Sequence, residues 1–196
     1  MFSSASSYAG GIRDYQIEGM SVGDSLLNFI SEEEIKKSIA TTTQYDQHMK
    51  VSDDFKVEYS IVEFSSFILP MEIYDNITFD VKKNDKKFTI ETISGVIFFE
   101  NIDDCNKKQL EVSKDLEKLL TYYERQKRGK TKHSADQTGE SESHAINYWF
   151  KSGDLITLIC TDWSETLTQN LGWADNFSIE IKTETYNAFL GKLYSK

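Results

Sequence analysis

The sequence predicts an α+β fold: a hairpin-rich antiparallel sheet packed against two short N-terminal helices, one long central helix and a short C-terminal helix. Three observations carry this. Two pairs of segments alternate apolar and polar residues about short polar turns, the pattern of β-hairpins. Strands and helices do not alternate one for one, which argues against a doubly wound parallel sheet. The chain has 196 residues and 39% apolar content, enough for one domain with its own core.

The elements follow in order. Residues 1–12 read as a disordered N-terminus or a signal-peptide remnant, and 13–196 as a single domain. Tyr15 to Glu18 is an extended lead-in. Ser21-Val22-Gly23-Asp24 has the form of a capping box, and Val22, Leu26, Leu27, Phe29 and Ile30 follow at helical spacing, so a helix is expected over 21–30. Ser31-Glu32-Glu33-Glu34 is a second capping box and predicts a helix to Ile39. Thr41 to Asp54 is a polar connection.

Lys56 to Ser65 is rich in β-branched and aromatic residues and reads as a strand. Ile68 to Tyr74 contains Pro70, the single proline, and suits an edge or a loop. Asn76 to Lys82 and Phe88 to Thr92 alternate about an Asn84-Asp85 turn, giving the first hairpin. An apolar strand continues from Gly95 to Phe99.

Asp103-Asp104 start the longest predicted helix, to Arg125, with Leu110, Leu116, Leu119, Leu120 and Tyr123 on its inner face. Residues 129–144 are polar without periodicity and read as a flexible loop. Ala145 to Lys151 and Leu155 to Thr161 make a second hairpin about Ser152-Gly153-Asp154. Asp162 to Trp173 is a connection, Phe177 to Lys182 a final alternating strand, and Thr183 to Leu193 a closing helix. Each half thus holds a helix followed by a hairpin.

Composition narrows the function. A formal charge of −10 argues against nucleic acid, whose binding neutralises phosphates, and against an anionic membrane surface. No apolar run approaches the ~20 residues of a membrane helix, so no transmembrane segment is expected. Phe2 to Ala9 is small and polar, and Ser7-Tyr8-Ala9 has the small-x-small pattern that precedes a signal-peptidase cut. This favours a periplasmic or secreted protein in which Met1 is not the true start; the other reading is a cytoplasmic protein with a mobile N-terminus. The two cysteines permit a Cys105–Cys160 disulfide or two separate buried thiols. With no C-x-x-C or H-x-x-x-H spacing, no metal site or cofactor is expected.

Gly23-Asp24-Ser25-Leu26 spells the GDSL motif of serine esterases and lipases, which would make Ser25 a nucleophile. That chemistry also needs a histidine base oriented by an acid and an oxyanion hole. The histidines are His48, His133 and His144, and none closes a D-x-x-H; no G-x-N-D occurs either. A catalytic Ser25 is therefore kept as the alternative, and capping is the favoured role of this segment.

Ile17-Glu18-Gly19-Met20-Ser21 before an amphipathic helix resembles the I-x-G-M-[ST] opening of small exported envelope proteins. These include the β-lactamase-inhibitor-protein-like fold and the small lipoprotein of outer-membrane assembly. The stretch from IEGMSVGDSLL to FKSGDLITLICTDWS also resembles an uncharacterised group of exported bacterial proteins. The resemblance implies a binding or scaffolding module without a cofactor.

The expected function is a non-enzymatic exported module that binds a protein or peptide in the cell envelope. Trp163 and Trp173, with Tyr148, are the candidate binding surface, because aromatics are common interface anchors, while Trp149 is expected to pack in the core. Arg125, Lys127, Arg128, Lys130 and Lys132 form a basic run, expected as a solvated helix end that suits the dipole. An intracellular structural protein is the remaining alternative.

Overall fold

The computed structural model describes residues 11–45, 55, 58–133, 136 and 138–194. Seven strands form one sheet in the order β1-β2-β3-β7-β6-β5-β4, every neighbour pair antiparallel. The strands are β1 (Tyr59–Ser65), β2 (Asn76–Lys82), β3 (Ile90–Phe99), β4 (Tyr123–Lys132), β5 (Glu142–Phe150), β6 (Leu155–Asp162) and β7 (Asp175–Lys182). The helices are α1 (Glu32–Tyr45), α2 (Ile102–Leu119), α3 (Glu165–Leu171) and α4 (Glu184–Tyr194). The expected α+β class therefore holds. Each half is a helix followed by a three-stranded meander, and β7 fills the seam between β3 and β6.

One face of the sheet carries the main core. Val62, Phe64, Ile77, Phe79, Ile93, Ile179, Ile181, Ile156, Leu158 and Ile146 point to it, consistent with the two-residue period of a strand. Helix α2 lies across β6, β7 and β3 on this face. A Cys105–Cys160 disulfide, with Cα atoms 5.9 Å apart, joins α2 to β6. The second face is covered only in part: α4 packs Tyr186, Phe189 and Leu193 against Phe55, Tyr59 and Ile61. No helix among the described residues is long and apolar enough to cross a membrane.

The capping box at Ser31 forms as expected. The Glu34 amide donates to Ser31 Oγ and the Ser31 amide donates to Glu34 Oε2, each at 3.3 Å. Helix α1 runs on to Tyr45, past the expected Ile39, because Ser38 and Thr42 find partners on β1. Ser38 Oγ donates to the Glu63 carbonyl at 2.9 Å and accepts from the Glu63 amide at 2.8 Å. Thr42 Oγ1 donates to the Ile61 carbonyl at 2.8 Å. Helix α1 thereby satisfies backbone groups along the free side of an edge strand.

Four expectations are corrected. Residues 21–30 do not form a helix; only a single 3-10 turn, Leu26–Asn28, is present. The segment instead pairs with the sheet: the Gly23 and Leu26 amides donate to the Ile90 and Phe88 carbonyls at 2.8 and 3.2 Å. Gly23 has φ +89°, which breaks helical continuity. The Ser21–Asp24 contact forms, with the Ser21 amide 2.9 Å from Asp24 Oδ2, but it closes a turn.

The central helix ends at Leu119, not Arg125, and Tyr122 at φ +58° turns the chain into β4. Its inner face is Cys105, Gln109, Ser113 and Leu116, spaced i, i+4, i+8 and i+11 along one helix face. Leu110, expected inside, is 49% exposed. The flexible loop expected over 129–144 contributes the ends of β4 and β5, and the whole basic run, expected at a helix end, lies on edge strand β4. Between them Asp136 holds a turn, accepting from the Thr138 amide and from the amide and hydroxyl of Ser141 at 2.6–2.8 Å. Finally, the connection after β6 contains α3, capped by Ser164 Oγ and ended by Gly172 at φ +70°. Residues 1–10 of the expected mobile N-terminus lie outside the described residues, while Ile12 is buried in the core.

Candidate binding groove on the second face of the sheet

Strand alternation builds the groove. On β5, Ile146 and Tyr148 enter the core, so Ala145, Asn147 and Trp149 emerge on the opposite face. The register places Asn147 beside Thr157 and Trp149 beside Leu155 on β6, and Gln126 and Arg128 beside Asn147 and Ala145 on β4. Helix α4 supplies one wall through Asn187, Leu190 and Gly191. The groove has a volume of about 430 Å³, within the range of ligand sites in proteins.

Its chemistry is apolar with a few polar groups. Trp149, Leu155, Ile159 and Leu190 provide the apolar surface. Thr157 is 4% exposed, and its Oγ1 has no hydrogen-bond partner among the described residues. A buried hydroxyl without a partner carries a free-energy cost. Arg128 and Lys182 bring positive charge to the rim, Lys182 ion-paired with Glu180 on its own strand. His144 also borders the groove. Burial, followed by the nearby Lys130 and Lys127, holds its pKa below the usual imidazole range.

The structure separates the three expected surface aromatics. Trp163 and Trp173 meet edge to face with centroids 4.4 Å apart, and His133 lies 4.3 Å from Trp163. This half-buried cluster sits where β6 ends and β7 begins. The Trp163 amide donates to Asp175 Oδ1 at 2.9 Å, while burial, with Asp162 adding, pushes the Asp175 pKa up. Tyr148 is 0% exposed and faces the core, so it presents no surface. Its hydroxyl lies 2.7 Å from Ser113 Oγ and donates to Glu117 Oε1 at 3.2 Å. Trp149, the neighbour of Tyr148 and expected in the core, is instead the aromatic that faces the groove. The period-two pattern of Ala145 to Phe150 was the signal for it, since buried Ile146 and Tyr148 fix where Trp149 points.

Ser25 has a structural partner. Its Oγ donates to the Lys87 carbonyl, and its backbone bridges Thr89. The motif is followed by a 3-10 turn and preceded by no strand, so it lacks the strand-to-helix elbow that exposes a serine nucleophile. Among the described residues, no group of three His, Cys, Asp or Glu side chains is placed to hold a metal ion.

No known family model, curated protein or solved structure matches the chain.

Proposed function

We propose that this chain is a non-enzymatic binding module of an exported protein, and that it holds a protein or peptide segment in the groove over β4–β6. One observation carries the reading: an apolar groove built around Trp149 and Leu190 is floored by a buried Thr157 hydroxyl that has no partner among the described residues. Apolar walls with few oriented polar groups are the composition of binding sites generally. The Cys105–Cys160 link supports export, because disulfides persist in oxidising compartments. The likeness of Ile17-Glu18-Gly19-Met20-Ser21 to exported envelope modules supports the same placement.

The test is display selection of envelope-protein peptides on the purified chain, with Trp149→Ala as the counter-screen. Peptides retained by the wild type and released by Trp149→Ala, by about tenfold or more for an anchor worth over ~1.4 kcal/mol, support the reading. Failure to recover any Trp149-dependent peptide sinks it. Thiol labelling of native protein tests export separately: labelling at Cys105 and Cys160 without prior reduction would place the chain in a reducing compartment.

A further inference from the structure

Among the described residues the side of the groove opposite α4 is open, because the sheet stops there at β4. Residues 123–132 read YERQKRGKTK: five cations and one anion in ten residues, in a chain of net charge −10. Nine of the ten are solvent-exposed. Arg125 pairs with Glu117 at 2.8 Å, and Lys130 and Lys132 share the single carboxylate of Glu142 at 3.2 and 3.0 Å. Lys127 and Arg128 have no ion pair among the described residues.

The backbone direction of β4 follows from the register. The Phe150 amide donates to the Asp154 carbonyl at 3.0 Å, so the backbone groups of Phe150, Tyr148 and Ile146 turn towards β6. Those of Trp149, Asn147 and Ala145 then turn towards β4, where they meet Glu124, Gln126 and Arg128. The N–H and C=O groups of Tyr123, Arg125 and Lys127 therefore point away from the sheet. At β1 the equivalent groups of Ile61 and Glu63 bond to α1 hydroxyls. At β4, no described residue bonds the outward backbone groups of Arg125 or Lys127. The register shift between Arg128 and Thr131 limits regular pairing to residues before it.

From this geometry we infer that β4 is a docking edge for an extended acidic peptide, which adds to the sheet as an eighth strand and closes the open side of the groove. The inference rests on the proposed binding function and names its partner chemistry. Main-chain hydrogen bonds to Arg125 and Lys127 give the affinity, as in other strand additions. Side chains of the added strand alternate between the two faces. Acidic residues on one face meet Arg128, and on the other they meet Lys127. A second copy of this chain fits poorly, because β4 against β4 sets like charges opposite one another.

The probe is a capped octapeptide of repeating glutamate-glutamate-valine-valine, which as a strand carries glutamates on both faces, followed by amide hydrogen exchange read residue by residue in NMR spectra. The expected result is alternating protection: the Arg125 and Lys127 amides slow by about tenfold or more, while Glu124 and Gln126, already bonded to β5, do not change. Protection falls as salt rises from about 50 to about 500 mM, as the Debye length shortens. The lysine–valine peptide gives none. Lys127→Pro, which removes one outward donor, abolishes protection at Arg125. Lys127→Glu/Arg128→Glu, confined to exposed side chains, abolishes it with an unchanged melting curve.

Absence of protection, protection without alternation, or equal binding of the lysine peptide overturns the inference. Protection without any peptide, accompanied by a dimer in light scattering, overturns it in favour of a second copy. A Trp149-dependent ligand that leaves these amides exchanging freely overturns strand addition while the groove reading stands.

Discussion

The two edges of the sheet meet the same physical problem in different ways. Strand β1 is sealed from within: Ser38 and Thr42 of α1 bond the outward backbone of Glu63 and Ile61. Among the described residues no helix covers strand β4, a longer strand rich in lysine and arginine. Unpaired strand edges invite other strands, and both covering and charging them prevent indiscriminate pairing. The difference is selectivity. A sealed edge refuses every partner, whereas a basic open edge refuses its own kind and accepts an acidic one.

The largest expected effect lies in the half that carries the open edge. Cys105→Ala/Cys160→Ala removes the tie between α2 and β6 and should cost about 2–4 kcal/mol in denaturant unfolding. Hydrogen exchange should quicken first in β4–β6, with β1 and β2 following. Equal quickening across all strands would show that the two edges unfold as one unit.

A smaller effect is expected at the sealed edge. Ser38→Ala leaves the Glu63 N–H and C=O without their partner, a loss of about 1–3 kcal/mol. Lys127→Ala on the open edge should change stability by less than about 0.5 kcal/mol. Urea denaturation of both variants compares them directly. A cost at Lys127 as large as that at Ser38 would mean that β4 is held structurally, as β1 is.

The smallest effect is electrostatic and separates the edges by mechanism. The Glu34 carboxyl is held below its ordinary pKa by the Ser31 hydroxyl and then the Ser31 amide. Glu142, behind β4, is held low by hydrogen bonds from Lys132 and then Lys130. A folded pKa below the unfolded value contributes stability that is present above the ordinary carboxylate range. That stability is lost as pH falls through the folded pKa. Acid should therefore loosen both the α1 cap and the β4–β5 pairing. Carboxyl NMR titration in low and high salt tells them apart. Salt should raise the Glu142 pKa towards normal, because its partners are cations, and leave Glu34 nearly unmoved. Equal salt shifts would remove the distinction.

Much of the fold was legible where local chemistry and final packing agree. The turns at Asn84-Asp85 and Ser152-Gly153-Asp154 lie where expected, between β2 and β3 and between β5 and β6. The capping box at Ser31 starts α1. The candidate site was less legible. Trp163 and Trp173 do come together, but Tyr148 turns inward and Trp149 takes the groove position. Adjacent residues on a strand face opposite ways, so a one-residue difference in orientation exchanges core for surface. Thr157 and Leu190 carry no motif; they matter only because β6 and α4 bring them to one groove.

The sequence by itself determined the α+β class, both hairpins, the α1 cap and the permitted Cys105–Cys160 pairing. Those features depend on neighbouring residues or, for the cysteines, on their number. Tertiary structure decided the rest. Residues 21–30 carry a helical apolar stripe, yet the Gly23 and Leu26 amides bond to β3 and the segment just before it. Residues 123–125 were expected to continue a helix, yet they begin β4 because β5 has bonding groups to satisfy. Local propensity is worth at most ~0.7 kcal/mol for an ordinary residue, whereas a buried backbone group left without a partner costs ~1–3 kcal/mol. Distant pairing therefore outweighs local preference at these segments, and only the folded chain shows which strand is left with an open edge.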